Sequence, residues 1–286
     1  MESRQDPGAG SVALPSNRLD MDLIFTDLDG TLLDRDTYSW AAAKPALELV
    51  ARKGIPWMLV SSKTRAEVDY WRAKLGNHHP FVVENGGAVF IPSGYFGSAM
   101  SGQANRDSYD VIEWGTPYAQ LAGCLHGAAL SSGCRVRGFC EMTAETLAAL
   151  CDLPLEQAVL AKQREYDEAF VALDPDKVEP LRIAVNDRGL RMVQGGRFWH
   201  ILGANDKALA VDALIRHFSS LNGPVRTIGL GDGLNDAGFL ELMDVPVLIR
   251  SPSVAQLREA VPRGIVTRLS GPAGWNEAVT RLIGAD

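Results

Sequence analysis

Leu23-Ile24-Phe25-Thr26-Asp27-Leu28-Asp29-Gly30-Thr31 is the stretch that decides the fold. Its apolar start, Leu23-Ile24-Phe25, reads as a short buried strand. Side chains alternate along a strand, so Asp27 and Asp29 emerge on the same side where it ends. Gly30 then lets the chain turn sharply away. Two carboxylates held together at the carboxyl end of a strand need a cation or a shared proton. An Asp-Gly turn would explain the pair by itself. Partners elsewhere in the chain decide between the two readings.

Outward from this strand, the pattern alternates. A helix is expected around Lys44–Lys53, a strand over Ile55–Val60, a helix over Thr64–Leu75 and a strand over Phe81–Glu84, with Gly54 and Gly76 where the helices stop. The order predicts an α/β fold, a doubly wound, mostly parallel sheet. The end of the chain repeats it, with a helix over Asn205–Phe218, a strand over Arg226–Leu230, a helix over Leu234–Met243 and a strand over Val245–Ile249. The middle differs. Gly- and Ser-rich loops near Pro92–Ser108 precede helices around Pro117–Leu130, Thr143–Cys151 and Leu155–Lys162, then a strand (Ala169–Leu173), a helix (Pro175–Asp187) and a strand (Leu190–Gln194). The expected organisation is a flexible leader over 1–19, a core from 20–87 and 198–286, and an inserted α/β cap over 88–197. Ligands bind at strand carboxyl ends in such sheets, so the insert would lie over the site as a lid.

Composition removes several classes. The 286 residues are 46% hydrophobic and 22% charged, ordinary for a globular protein, and long enough for one large or two modest domains. A net charge of −7 argues against nucleic acid, and leaves any anionic substrate to local cations. No apolar run approaches a membrane span, and the first twenty residues lack a signal-peptide core. Cys124, Cys134, Cys140 and Cys151 form no CxxC pair, which points to reduced thiols in a cytoplasmic protein. The scattered histidines offer no zinc site. No GxxxxGK[ST] occurs, and Gly229-x-Gly231-x-Gly233 lacks dinucleotide-loop spacing.

Three further elements fall at strand ends or helix starts, where they can converge on Asp27: Ser61-Ser62-Lys63-Thr64, Lys207, and Gly231-Asp232-Gly233-Leu234-Asn235-Asp236. Each has an ordinary explanation alone. Lys207 could be a solvated lysine and Ser61-Ser62 a helix cap. Together they suit phosphoryl transfer. A carboxylate can attack phosphorus and form an aspartyl phosphate, and the transition state is stabilised by positioning and electrostatics. Mg2+ prefers oxygen ligands and one or two carboxylates, for which Asp27 and Asp232 are the candidates. Lys207 and the Ser61 hydroxyl would hold phosphate oxygens. Asp29 would be the acid for the leaving alcohol and then the base for water.

With these four motifs the chain resembles the haloacid dehalogenase superfamily, in the phosphatase subclass with a large α/β cap. The resemblance implies a Rossmann-like core, Mg2+ held by Asp27, Asp232 and the backbone carbonyl of Asp29, and ligands oriented from behind by Asn235 and Asp236. Further motifs, Ser61-Ser-Lys63-Thr-Arg65, Glu84-Asn85-Gly-Gly, Gln163-Arg164-Glu165-Tyr-Asp167-Glu168, Gly195-Gly-Arg197-Phe-Trp-His200 and Gly271-Pro-Ala-Gly-Trp275-Asn276-Glu277, are similar to the mannosyl-3-phosphoglycerate phosphatase family. That likeness implies a small phosphorylated glycosyl-glycerate as partner, cleaved to mannosylglycerate, a compatible solute, with the glucosyl analogue as a second substrate. It also implies Ser62, Lys63, Arg65, Glu84, Asn85, Arg164, Glu165, Arg197 and His200 as substrate contacts. Cations would meet the carboxylate; acids and amides would meet the sugar hydroxyls. Trp275 could be a packed side chain at a helix start. The expected state is a monomer or homodimer, with neither nucleic acid nor membrane as partner. A phosphomutase or another sugar phosphatase on the same core, and a non-catalytic sugar-phosphate sensor, are the alternatives.

Overall fold

The computed structural model describes residues 21–97, 103–195 and 198–284. The expected leader over 1–19 and the candidate Arg197 lie outside the described residues. In chain order the first elements are β1 (Met21–Thr26), α1 (Lys44–Lys53), β2 (Trp57–Val60), α2 (Arg65–Leu75), β3 (Phe81–Val83), β4 (Ala88–Pro92), β5 (Ala104–Arg106) and β6 (Tyr109–Glu113). The middle comprises α3 (Tyr118–Ser132), β7 (Val136–Gly138), α4 (Ala144–Cys151), α5 (Leu155–Ala161), β8 (Glu168–Ala172), α6 (Val178–Asn186), β9 (Arg191–Gly195) and β10 (Phe198–Leu202). The chain closes with α7 (Lys207–Asn222), β11 (Val225–Gly231), α8 (Ala237–Leu242), β12 (Val245–Arg250), α9 (Val254–Ala260), β13 (Ile265–Ser270) and α10 (Gly271–Ile283).

A nine-stranded sheet runs β13-β12-β11-β1-β2-β3-β4-β6-β5. Pairs from β13 to β3 are parallel, and those from β3 to β5 antiparallel. Central parallel strands are covered on both faces and so read as unbroken apolar runs. Leu23 and Phe25 of β1, with Met58 and Val60 of β2, pack on Val211 and Leu214 of α7 and Leu240 of α8. The alternate residues, Ile24 and Leu59, pack on Val50 of α1 and Trp275 of α10. Trp275 is fully buried and donates its indole N–H to Thr26 Oγ1 at 3.1 Å, tying the last helix beneath the first strand.

A second, antiparallel sheet runs β7-β8-β10-β9. Phe170 of β8 faces Leu121 and Leu125 of α3 and Leu181 of α6. Its neighbour Ala169 faces Leu147 of α4 and Ala158 of α5. Helix α5 meets α2 of the large sheet, where Thr64 Oγ1 donates to the Leu160 carbonyl at 2.9 Å.

Sheet membership corrects the expected junctions at 88 and 197. Strands β4, β6 and β5 hydrogen-bond onto β3 and extend the large sheet, whereas β10 is a central strand of the small one. The crossings therefore fall between Glu113 and Tyr118 and between Leu202 and Lys207. The expected helix over Leu234–Met243 is a 3-10 turn, Leu234–Asp236, followed by α8. Among the described residues no helix is long and apolar enough to cross a membrane.

Candidate active site

Four loops meet at the carboxyl ends of β1, β2 and β11 and at the start of α7. Asp27 follows β1, its N–H donating to the Leu230 carbonyl at 2.9 Å. Gly30 has φ +78°, and a Cβ there would lie 2.6 Å from Asp232 Oδ2. Only glycine both adopts this turn and lets the first loop touch the loop after β11.

Lys207 opens α7 immediately after its N-cap, Asp206. Only 2% of it is exposed, and its Nζ donates to Asp27 Oδ1 and Asp236 Oδ1, both at 2.7 Å. Burial opposes the charge, but Asp236 and Asp27 outweigh it and hold the ammonium above its ordinary value. Asp236 Oδ2 accepts the N–H groups of Asp232 and Gly233, each at 3.1 Å, so both its oxygens are committed. Asp232 accepts from Thr31 Oγ1 at 3.2 Å and from Arg35 at 2.7 Å. Asn235 turns its Oδ1 back over Gly233.

These carboxylates fit a hard divalent cation. One oxygen from each of Asp27, Asp232 and Asp236 lies within 4.8 Å of the others, and all three residues are buried. Burial raises Asp27 well above the usual carboxylate range, against the pull of Lys207, and Asp236 and Asp232 add to the rise. Burial, then Asp236, pushes Asp232 up to about 6, with Arg35 opposing. Such a cluster is short of positive charge, and its donors are all oxygen. Within the cluster Asp236 is tied to Lys207 and two backbone N–H groups, Asp232 to Thr31 and Arg35, and Asp27 to Lys207 through Oδ1.

Asp29 is separate from that cluster. Its Oδ2 lies 3.0 Å from Lys63 Nζ, and its Oδ1 is buried without a hydrogen-bond partner. Ser61 is buried at the end of β2, and its Oγ accepts the Lys63 N–H at 3.1 Å. Thr64 and Glu67 form a reciprocal cap on α2, leaving Glu67 Oε1 3.3 Å from Lys63 Nζ. Lys63 thus lies between two carboxylates, with the Tyr38 ring 5.2 Å away. Asp29 and Glu67 outweigh burial and raise it above its ordinary value.

Other candidates are placed differently. Glu84 is fully buried, and its carboxylate accepts the N–H groups of Glu165 and Tyr166 at 2.8–3.1 Å. Burial, only partly offset by Arg164, pushes it up to about 8. Arg164 donates to the Asp167 carbonyl at 2.7 Å and the Ser62 carbonyl at 3.0 Å, and pairs with Asp167 Oδ1 at 3.1 Å. Asp167 also accepts from Asn85 at 2.7 Å and pairs with His200 Nδ1 at 2.8 Å. Burial opposes it, but Arg164 and His200 hold Asp167 below its usual range. Glu84, Asn85, Arg164 and His200, expected as substrate contacts, lie in a buried network that links the loop after β3 to β8 and β10. Only Asn85 Oδ1 among their side-chain atoms is buried without a partner. Glu165 pairs with Arg106 at 2.5 Å and lies 3.8 Å from Arg65, which also meets Asp107 at 3.4 Å.

Arg35 and Glu67 act here without having been among the candidate site residues. Arg35 sits in an Asp-rich loop with no periodicity, so nothing in the sequence marks it. Glu67 was legible, since Thr64-x-x-Glu67 is a capping-box pattern.

The sheet, the insert and the Asp27–Lys207–Asp232 cluster define a haloacid dehalogenase-like hydrolase, and the model of that family matches residues 24–104. The chain is 42% identical over 269 residues to glucosyl-3-phosphoglycerate/mannosyl-3-phosphoglycerate phosphatase from Methanococcoides burtonii, covering 92% of this chain and 97% of the relative. It is 39% identical over 266 residues to the enzyme of the same name from Persephonella marina, covering 91% and 97%. The chain belongs to this phosphatase family and is a phosphoric monoester hydrolase. Among solved structures it is similar in fold to sucrose-phosphatase from Synechocystis sp. PCC6803, with TM-score 0.60, 14% identity and coverage of 92% and 98%.

Proposed function

We propose that the chain hydrolyses mannosyl-3-phosphoglycerate, and its glucosyl analogue, to the glycosylglycerate and phosphate in a Mg2+-dependent reaction. The observation that carries the reading is the buried Asp27–Lys207–Asp236 chain, with Asp232 beside it and Asp29 outside it. The substrate class comes from the two relatives named above. The free thiols of Cys124, Cys134 and Cys140 support a cytoplasmic location.

Lys207 fixes Asp27 Oδ1, so Oδ2 is the oxygen left to attack phosphorus. The same ammonium neutralises charge that spreads over the phosphoryl oxygens, and the Ser61 hydroxyl donates beside it. Asp27 and Asp232 would hold Mg2+, which, when bound, would supply Lewis-acid stabilisation of that charge. Asp29 protonates the departing glycerate oxygen, then takes a proton from the water that opens the aspartyl phosphate. Asp236 holds the Asp232 loop and shares Lys207.

The test is phosphate release from mannosyl- and glucosyl-3-phosphoglycerate, side by side, with and without Mg2+. The expected result is metal-dependent release from these esters, far above that from unrelated sugar phosphates. Comparable rates across a sugar-phosphate panel would refute the substrate assignment.

A further inference from the structure

Ser61 follows β2 and Lys207 opens α7, so the two groups read as holding phosphoryl oxygens come from distant parts of the chain. One short turn meets the main chain at both places. It is Glu84-Asn85-Gly86, directly after β3, and all three residues have positive φ, at +45°, +55° and +87°. Asparagine tolerates this left-handed conformation, whereas glutamate rarely adopts it. Such a backbone persists only where its surroundings over-determine it.

Towards β2, the Glu84 N–H donates to the Lys63 carbonyl and the Asn85 N–H to the Ser61 carbonyl, both at 3.0 Å. Towards α7, a Cβ at Gly86 would overlap the Asp206 carbonyl and lie 2.8 Å from the Lys207 nitrogen. The Asn205 side chain also donates to the Asn85 carbonyl, at 3.4 Å. The side chains serve the small sheet instead. Glu84 accepts the N–H groups of Glu165 and Tyr166, and Asn85 donates to Asp167. The main chain of the turn thus meets the backbones that carry Ser61 and Lys207, while its side chains meet the connection into β8.

We propose that the Glu84–Gly86 turn is the template that sets Ser61 and Lys207 relative to one another. The Ser61 hydroxyl and the Lys207 ammonium must meet oxygens of one phosphoryl group, and each follows any shift of its own backbone. A turn bonded to one backbone and packed against the other fixes the span between them. Displacements of about 1 Å can cost roughly a hundredfold in rate, so a fully held turn protects catalysis. Glu84, Asn85 and Gly86 are in this sense positioning residues that act through Ser61 and Lys207. The proposal rests on the reading of those two as the groups that hold the phosphoryl group.

Inorganic phosphate separates this role from that of joining the sheets, because it fills the phosphoryl position without any glycosyl-glycerate. The experiment measures its affinity by calorimetry with Mg2+ present, together with kcat and KM for mannosyl-3-phosphoglycerate, in wild type, Gly86→Ala and Gly115→Ala. Gly86→Ala pushes the turn off the start of α7. Gly115→Ala crowds Tyr166 at the joint between the sheets and does not touch that start. In Gly86→Ala, phosphate should bind at least about tenfold more weakly, as for the loss of one charge-assisted hydrogen bond, and kcat should fall about a hundredfold. In Gly115→Ala, KM for the ester should rise while phosphate affinity stays that of wild type. Denaturant unfolding establishes that each variant folds. If Gly86→Ala does not, Asn85→Thr reads the same affinity, because a β-branched side chain opposes φ +55°. Wild-type phosphate affinity in the turn variant would overturn the template. Equal losses in both variants would make the effect a general loosening of the joint and also overturn it. Ser61→Ala with undiminished phosphate affinity would instead refute the reading on which the proposal rests, and wild type that releases no phosphate from the ester would refute the proposed function.

Discussion

Lys207 is the residue on which the site's electrostatics turn. It is buried between two carboxylates, and removing one partner of a buried ion pair typically costs about 3–5 kcal/mol. Lys207→Met should therefore abolish turnover and also lower stability in denaturant. A variant with wild-type stability would show that Asp27 and Asp236 do not need it. Asp27→Asn keeps the shape but not the nucleophile, so activity and phosphoenzyme should vanish together. Gly30→Ala tests the contact between loops. A Cβ 2.6 Å from Asp232 Oδ2, on a backbone at φ +78°, must displace that carboxylate. Mg2+ affinity measured by calorimetry should fall while α/β circular dichroism persists, and unchanged affinity would remove Asp232 from the metal pair.

At the scale of elements, the loop after β3 fastens the small sheet to the large one through Glu84. Its folded-state value of about 8 lies above the ordinary 4.5, so between those pH values the folded chain keeps a proton that the unfolded chain has released. That stabilisation is fully present below pH 4.5 and is lost as pH rises through 8. Glu84→Gln cannot ionise, so unfolding free energies measured across this window should depend less on pH than in wild type. An identical slope would show that Glu84 does not titrate there. Strands β1, β2, β3, β11 and β12 of the parallel half were legible because β1 and β2 alternate their faces and Gly54 and Gly76 end their helices in left-handed conformation, at φ +63° and +64°, whereas the edge strand β13 was not expected. Strands β4 and β6 were not, because antiparallel strands next to a Gly- and Ser-rich stretch resemble the start of an insert until their pairing partner is known. Asp27, Asp29, Lys207 and Asp232 could be read from spacing at strand ends. The fastening role of Glu84 and Arg164 could not, since a buried network and a charged surface run have the same local sequence.

At the scale of the whole molecule, the two sheets meet around Tyr166. A Cβ at Gly87 or Gly115 would lie 2.4 Å from Tyr166 Cβ, and the Gly87 carbonyl accepts the N–H groups of Trp114 and Gly115 at 2.9 Å. Gly115→Ala overpacks this junction and should cost about 1–3 kcal/mol in denaturant unfolding. A neutral result would mean that the linker moves freely. The joint holds the small sheet over the carboxyl ends of the large one, where the end of β9 packs against Leu234–Asp236. The most direct test of the account is to mix the enzyme with mannosyl-3-phosphoglycerate and Mg2+, quench in acid, digest and locate the phosphoryl group by mass spectrometry. The account predicts one phosphoryl group on the peptide carrying Asp27 in wild type and none in Asp27→Asn. Label on another residue, or steady turnover by Asp27→Asn, would contradict it.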